Sequence, residues 1–274
     1  MRKLAKLSLV AAVAVAGLTN VNAASLEEAI KGVDVSGKVY VETLANTVKN
    51  AETLTTTDID ADITFKSKVN DNITAVVRVQ ADIEDSEGTS AGQDVTVDNV
   101  YFTYANAGLT VNAGKQDINT PNTDGELGTG ALASYDAGVA SIVAAHYYDN
   151  AITSNTISAA AVLGSVGQVN AELWYINASG HSDNYTLAAS TKLGPVSLAA
   201  RHAMTSYDDA TKKDGSTTRI DASASISGFG LKATYLTTDK DNSAFVTDAS
   251  SANTYELSQL GLKNEADVDL YAVG

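Results

Sequence analysis

The chain has 274 residues, with 33 Asp and Glu against 18 Lys and Arg for a net charge of −15, 44% hydrophobic residues, 6% aromatic residues, 2 Pro and no Cys. Without a thiol, disulfide scaffolds, Cys-held zinc, iron–sulfur clusters and cysteine nucleophiles are excluded. The acidic balance argues against nucleic acid as a partner, because phosphate is drawn to positive surfaces, and the apolar content is too high for a disordered chain.

Residues 1–23 are predicted to be a secretory signal peptide. Arg2, Lys3 and Lys6 give the basic start, Leu7 to Leu18 the apolar run, and Val21-Asn22-Ala23 the small residues of a cleavage site. The run falls short of the ~18 apolar residues of a spanning helix. Without Arg2, Lys3 and Lys6 the 18 basic residues become 15 against 33 acidic ones, so the mature chain carries −18. No later stretch is long and apolar enough for a membrane helix, which leaves a periplasmic, a secreted or an outer-membrane β-barrel product.

After Ser25 to Ile30 the sequence adopts a two-residue period. In 58–69 the odd positions Ile59, Ala61, Ile63, Phe65 and Val69 oppose Asp58, Asp60, Asp62, Lys66 and Lys68. In 72–84 Ile73, Ala75, Val77, Val79, Ala81 and Ile83 oppose Arg78, Gln80, Asp82 and Glu84. Such alternation predicts strands, whose successive side chains point to opposite faces. Similar segments start near Val33, Val95, Leu109, Ala131, Val139, Asn155, Gln168, Asn184, Val196, Thr217, Leu231, Thr254 and Asp267, about fifteen strands in all. Between Val95 and Tyr104 the apolar phase switches, as a bulge requires.

The connections alternate in length. Asn70-Asp71, Asn106-Ala107, Asp136-Ala137-Gly138, Gly164 to Gly167, Gly194-Pro195, Ser227 to Gly230 and Asn264-Glu265-Ala266 are tight-turn sequences. Those around 45–57, 85–93, 117–130, 149–154, 178–182, 207–216 and 239–252 are mostly longer and polar. A soluble sandwich would break this parity with crossovers, and a solenoid would show a fixed-period repeat, which the sequence lacks. The expected fold of residues 24–274 is therefore all-β: an antiparallel up-and-down transmembrane β-barrel of roughly 16–18 strands when complete. Tyr135, Tyr147, Tyr148 and Tyr207, near strand ends, are expected to form a thin aromatic girdle.

A barrel of that size encloses water. The polar parity would line it with Lys38, Glu42, Asp58, Asp60, Asp62, Lys66, Lys68, Arg78, Asp82, Glu172, Lys192, Arg201, Arg219, Asp221 and Lys232, and Lys115 joins them as a candidate lining residue. The excess of acid predicts cation preference. The long segment 117–130 is the candidate constriction loop, with Asp117, Asp124 and Glu126 as candidate constriction residues.

Nothing indicates an enzyme. Gly128-Thr129-Gly130-Ala131-Leu132-Ala133 fits a loose dinucleotide pattern but no helix pattern follows. Asp58, Asp60 and Asp62 begin like a calcium loop, yet Ile63 and Val69 stand where that loop needs Gly and Glu. No cofactor is expected, beyond weak Ca²⁺ binding left open for the carboxylates of that face; other metals stay unassigned. His146, His181 and His202 have no ligand spacing, and no catalytic triad can be assembled.

Several stretches match a known family: Lys3-Leu4-Ala5-Lys6-Leu7-Ser8-Leu9-Val10-Ala11-Ala12, Leu26 to Gly37, Gly114-Lys115-Gln116 with Asn119-Thr120-Pro121 and Gly128-Thr129-Gly130, and Ala171-Glu172-Leu173-Trp174-Tyr175. On these the sequence resembles the major outer membrane porin family of Campylobacter and related bacteria, collinearly to about residue 235. The resemblance implies a homotrimeric, cation-selective general diffusion porin of about 18 strands in the bacterial outer membrane, with 117–130 as its constriction loop. It also implies a longer chain ending on an aromatic residue, so a sequence stopping at Leu270-Tyr271-Ala272-Val273-Gly274 is expected to lack about three strands. The expected partners are outer-membrane lipid, further copies of the chain, and the ions and small hydrophilic solutes that pass. The competing function is a structural or adhesive surface barrel without an open pore.

Overall fold

The computed structural model describes residues 32–46, 54–86, 92–123, 126–226, 229–245, 254–255, 260–261 and 265–273. The expected signal peptide and Asp124 lie outside the described residues. The chain forms two compact units, residues 1–105 and 106–274, and strands in both run antiparallel in chain order.

The first unit is a meander of β1 (Val33–Asn46), β2 (Leu54–Lys68), β3 (Ile73–Ser86) and β4 (Gly92–Asn106). Its register turns the sequence alternation into two faces. Lys38 pairs with Asp62, Tyr40 with Asp60 and Glu42 with Asp58, while Val39 pairs with Ala61 and Val41 with Ile59. Val35, Val39, Val41, Ile63, Phe65, Val100 and Phe102 are exposed on the apolar face. The expected bulge is present: Arg78 pairs with Asn99 but Val79 with Val97, which leaves Asp98 as the extra residue.

The second unit contains β5 (Leu109–Asp117), β6 (Leu127–Asp136), β7 (Ala140–Asn150), β8 (Ile157–Val166), β9 (Val169–Ala178), β10 (Ser182–Leu193), β11 (Val196–Tyr207), β12 (Gly215–Ile226) and β13 (Phe229–Thr238). A two-residue pair, β14 (Thr254–Tyr255) with β15 (Leu260–Gly261), stands apart from it, and β16 (Asp269–Val273) pairs with β13. Fourteen strands thus share the up-and-down order, and no helix occurs among the described residues.

The turns follow from their residues. Ala107 and Gly108 both take positive φ, 47° and 82°, the pair of left-handed residues that a two-residue hairpin with the right twist requires. Asn70 Oδ1 accepts from the backbone N–H of Asn72 and Ile73, which closes the β2–β3 turn with a local side-chain bond.

Five expectations change. The strand expected from Thr254 is absent from the large sheet among the described residues: β13 pairs directly with β16, fixed by the Thr238 N–H bond to Val268 O and a Tyr235–Tyr271 ring contact at 4.9 Å. Residues 265–266, expected in a tight turn, therefore belong to the long connection, and Asn264 lies outside the described residues. The segment 117–130 shortens to 118–126, because Leu127 to Gly130 open β6. Tyr147 and Tyr207 do not join a girdle: Tyr147 is wholly buried, and Tyr207 shares the parity of buried Ala203 and Thr205. Tyr148, Tyr175, Tyr185 and Tyr271 take that outward place at the long-loop ends, and Tyr135 at a turn end. Lys115 shares the parity of Leu109, Val111 and Ala113, so it stands with the apolar face rather than with the lining residues.

Candidate functional site

In the second unit one face of β5–β13 and β16 is apolar and open, with Ile142, Val162, Leu173 and Leu187 each more than half exposed. The other face is covered in its upper half by two chain segments and carries charge in its lower half.

The covering starts with Ile118, directly after β5. It is buried with Ala145, Tyr147, Ile157, Ala159, Ile176 and Ala178, side chains that the alternation of β7–β9 puts on one face. Gly128 makes room for it: a Cβ there would lie 2.8 Å from Tyr147 Cδ1 and 2.9 Å from Ile118 Cδ1. The loop then closes on itself. Thr123 Oγ1 gives its one hydrogen to Ile118 O at 2.6 Å, so Thr120 Oγ1 donates to Thr123 Oγ1, also at 2.6 Å. At its tip Asn122 is buried; its Oδ1 accepts from Thr186 Oγ1 at 3.0 Å and its Nδ2 donates to Phe245 O at 3.0 Å.

The second covering segment follows β13. Phe245 N–H donates to Thr205 Oγ1 at 2.8 Å and Ala244 N–H to Thr217 Oγ1 at 3.0 Å, while Thr205 Oγ1 donates to Asn184 Oδ1 at 2.6 Å. Asn184, Thr186, Thr205 and Thr217 are all buried polar residues of β10–β12. They give the backbone of the inserted segments the partners it loses on leaving water. None of the four is among the sequence candidates, and their only signal in the chain is Thr and Asn on the inward parity.

Below the inserted segments the charged side chains pair. Arg201 Nη2 donates to Glu172 Oε1 at 3.2 Å across Ala188, whose small side chain leaves the path open. Trp174 Nε1 donates to Glu172 Oε2 at 2.9 Å. Arg219 donates from Nε and Nη2 to the two oxygens of Asp221, at 2.7 and 3.0 Å, and Thr234 Oγ1 donates to Asp221 Oδ1 at 2.6 Å. Register puts Lys192, Ser197, Ser223 and Lys232 on the same face.

The first unit carries more acid. Asp60, Asp82 and Asp94 form one row across β2, β3 and β4, flanked by Asp58 and Asp62, and Lys38 reaches Asp62 at 3.0 Å. Arg78 reaches the buried bulge residue Asp98 at 3.8 Å, and Thr96 Oγ1 donates to the same carboxylate at 2.8 Å. Lys66, Arg78 and Asp82 thus share the polar face with Asp58, Asp60 and Asp62, as alternation required. No three acids converge into a metal-holding group among the described residues. Of the candidate constriction residues, Asp117 ends β5 opposite Leu127, and Glu126 closes the loop by accepting the Ile118 N–H on its backbone oxygen at 2.8 Å.

The sequence model of the Campylobacter major outer membrane protein family matches residues 2–266. The chain belongs to this family. No curated protein matches it. Among solved structures it is similar to OccAB4 of Acinetobacter baumannii, with 10% identity, a TM-score of 0.66 and coverage of 88% of this chain and 76% of that one. It is also similar to OccK2 (OpdF) of Pseudomonas aeruginosa in complex with glucuronate, with 14% identity, a TM-score of 0.62 and coverage of 86% and 73%. OccD3 (OpdP) of P. aeruginosa has 12% identity and a TM-score of 0.54, and the chain spans 76% of itself but 56% of that protein's length. At such identities the likeness is one of fold. This Campylobacter major outer membrane protein relative is therefore an outer-membrane protein with the fold of porin barrels.

Proposed function

We propose that the chain forms a general diffusion pore for ions and small hydrophilic solutes, preferring cations, with the folded-in loop 118–126 as its constriction. The observation that carries this reading is the two-sided sheet. One face is apolar and exposed, as lipid requires, and the other is polar, charged and furnished with a loop that leaves its strand ends to lie against it. Solutes would be sorted by size at that loop and by the field of the charged wall, with no chemical step. Acids outnumber bases on the polar face of β1–β4, which supports the cation preference. Export by the 1–23 segment and assembly as a homotrimer, both implied by the sequence resemblance, belong to the same proposal. Asp124 and Glu126 are the proposed acidic groups of the constriction, whereas Asp117, the last residue of β5, shares the outward parity of Lys115.

The experiment is single-channel recording of the full-length mature protein in a planar bilayer. The pore reading predicts stepwise openings, in groups of three for a trimer. Folded barrel protein that never conducts would contradict it and favour a structural or adhesive barrel.

A further inference from the structure

Below the Arg–acid pairs the polar face of β10–β13 ends in a row of bases and hydroxyls. Lys192 pairs with Ser197, Ser197 with Ser223 and Ser223 with Lys232, so the four side chains stand in line across four strands. A cavity of about 510 Å³ opens over Lys192, Ser197 and Ser223 and extends to Asn170 and Ser190. We propose that this row is a subsite for the phosphate group of small solutes, with the two ammonium groups closing on it from either side and the two hydroxyls donating to it from the wall. The proposal rests on the pore reading and names a solute class for it.

Three features carry the inference. The first is a set of donors that a solute can reach. Lys192 and Lys232 are exposed and Ser197 and Ser223 half-buried, and none of the four side chains has a hydrogen bond or ion pair among the described residues. The second is spacing. Neighbouring strands lie about 4.8 Å apart, which puts the two lysine Cα atoms ~14 Å apart, three strand steps. Their flexible stems can carry both ammonium groups toward the middle of the row. There Ser197 and Ser223 stand directly opposite each other, with Cβ atoms about 5 Å apart, close enough for both hydroxyls to meet one ion. A phosphate group spreads its acceptor oxygens over a tetrahedron and so can face donors on several sides, whereas a carboxylate confines them to two oxygens in one plane. The third is the field. On the inward parity of β9–β13 four bases, Lys192, Arg201, Arg219 and Lys232, face two acids, Glu172 and Asp221, an excess of two positive charges within a chain of net −15. Glu172 is held by Arg201 and Trp174. Asp221 also borders the cavity, but both its oxygens already accept from Arg219. The turns Gly167-Gln168 and Gly194-Pro195 add no carboxylate at this end. The lysine charges therefore stand uncompensated where the cavity opens. At 0.15 M salt they act over ~8 Å, enough to hold an ion in the row without deciding the preference of the whole path.

The test uses the full-length mature protein in detergent at fixed ionic strength. Binding is read from the phosphorus NMR line width of inorganic phosphate and of glycerol phosphate, with acetate as competitor, and KCl conductance is recorded on the same preparation. The expected result is broadening that saturates with either phosphate and persists at equimolar acetate. Lys192→Gln and Lys232→Gln are each expected to raise the half-saturation concentration about tenfold, Ser197→Ala to raise it by less, and Lys192→Arg to keep most of the binding. Broadening that is absent, that equimolar acetate reverses, or that survives the paired Lys192→Gln and Lys232→Gln substitution would overturn the subsite, while normal conductance would leave the pore standing. Should the paired variant fail to fold, the phosphate-against-acetate comparison on the unsubstituted protein decides alone. Protein that binds phosphate in this manner but never conducts would support the site and contradict the pore, so the two failures are told apart.

Discussion

Thr186 Oγ1 donates to Asn122 Oδ1 at 3.0 Å, a bond between buried side chains 64 residues apart that ties the loop after β5 to the wall formed by β10. The same Asn122 holds Phe245 O through Nδ2, so one amide joins two inserted segments to one strand. An Asn does this because its side chain offers an acceptor and donors at once.

Asn122→Ala removes both bonds and strands the Thr186 hydroxyl in a buried place. The expected cost is about 1–3 kcal/mol, visible as a lower midpoint of heat unfolding in detergent. Loosening of both segments should also appear as flicker in single-channel records. A variant with unchanged melting and quiet openings would contradict the anchoring role.

Ile118→Ala leaves a cavity against Tyr147, Ile157 and Ile176, and its expected cost is about 2–5 kcal/mol, as for other buried aliphatic truncations. The constriction reading adds an increase in unitary conductance, because the loop loses its apolar anchor. Gly128→Ala acts on the same contact from below by pushing on Ile118 and Tyr147. Thermal melts and conductance of the two variants check both effects.

The strand faces and the bulge are legible in the chain itself. Alternation in β2 and β3 decides which residues share a face, and the phase switch at Val95–Tyr104 locates the bulge that turns Asp98 toward Arg78. Those are local properties, and strand period is local. What the loops touch is not. Asn122, Thr186, Thr205 and Thr217 look like ordinary polar residues until segments far apart in sequence cover them. Tyr147 sits near a strand end like a girdle residue, but the parity of β7 and the absence of a side chain at Gly128 draw it inward against Ile118. Lys115 departs from the lining expected of it because it lies near the end of β5, where charge on the apolar parity is tolerated beside water.

His181, in the turn before β10, packs its ring 4.9 Å from that of Phe245 and edge-on to Tyr207. Burial, and then the charge of Lys212, hold its pKa below the ordinary value of 6.5. The folded protein thus favours the neutral ring. Its contribution to stability is complete above the unfolded value and is lost as pH falls below it toward the folded pKa. The prediction is acid loosening of the Phe245 segment beginning below pH 6.5, absent in His181→Asn. Proton NMR titration of the imidazole, or protease sensitivity of the segment against pH, checks it.

The row formed by Asp60, Asp82 and Asp94 is the densest acid on the described polar face of the first unit. Neutralising it with Asp60→Asn and Asp82→Asn should lower the ratio of K⁺ to Cl⁻ permeability severalfold, and the effect should shrink at high salt, where screening over a few Å weakens exposed charges. A permeability ratio that ignores both substitutions would place the selecting charges elsewhere.

The central claim is an ion-conducting path along an acidic, polar sheet face, and the reversal potential of the full-length protein under a KCl gradient tests it most directly. Such a path predicts steady conductance with a potential shifted toward the K⁺ equilibrium value and reduced by the Asp60→Asn and Asp82→Asn pair. A potential at zero or toward the Cl⁻ value would contradict it.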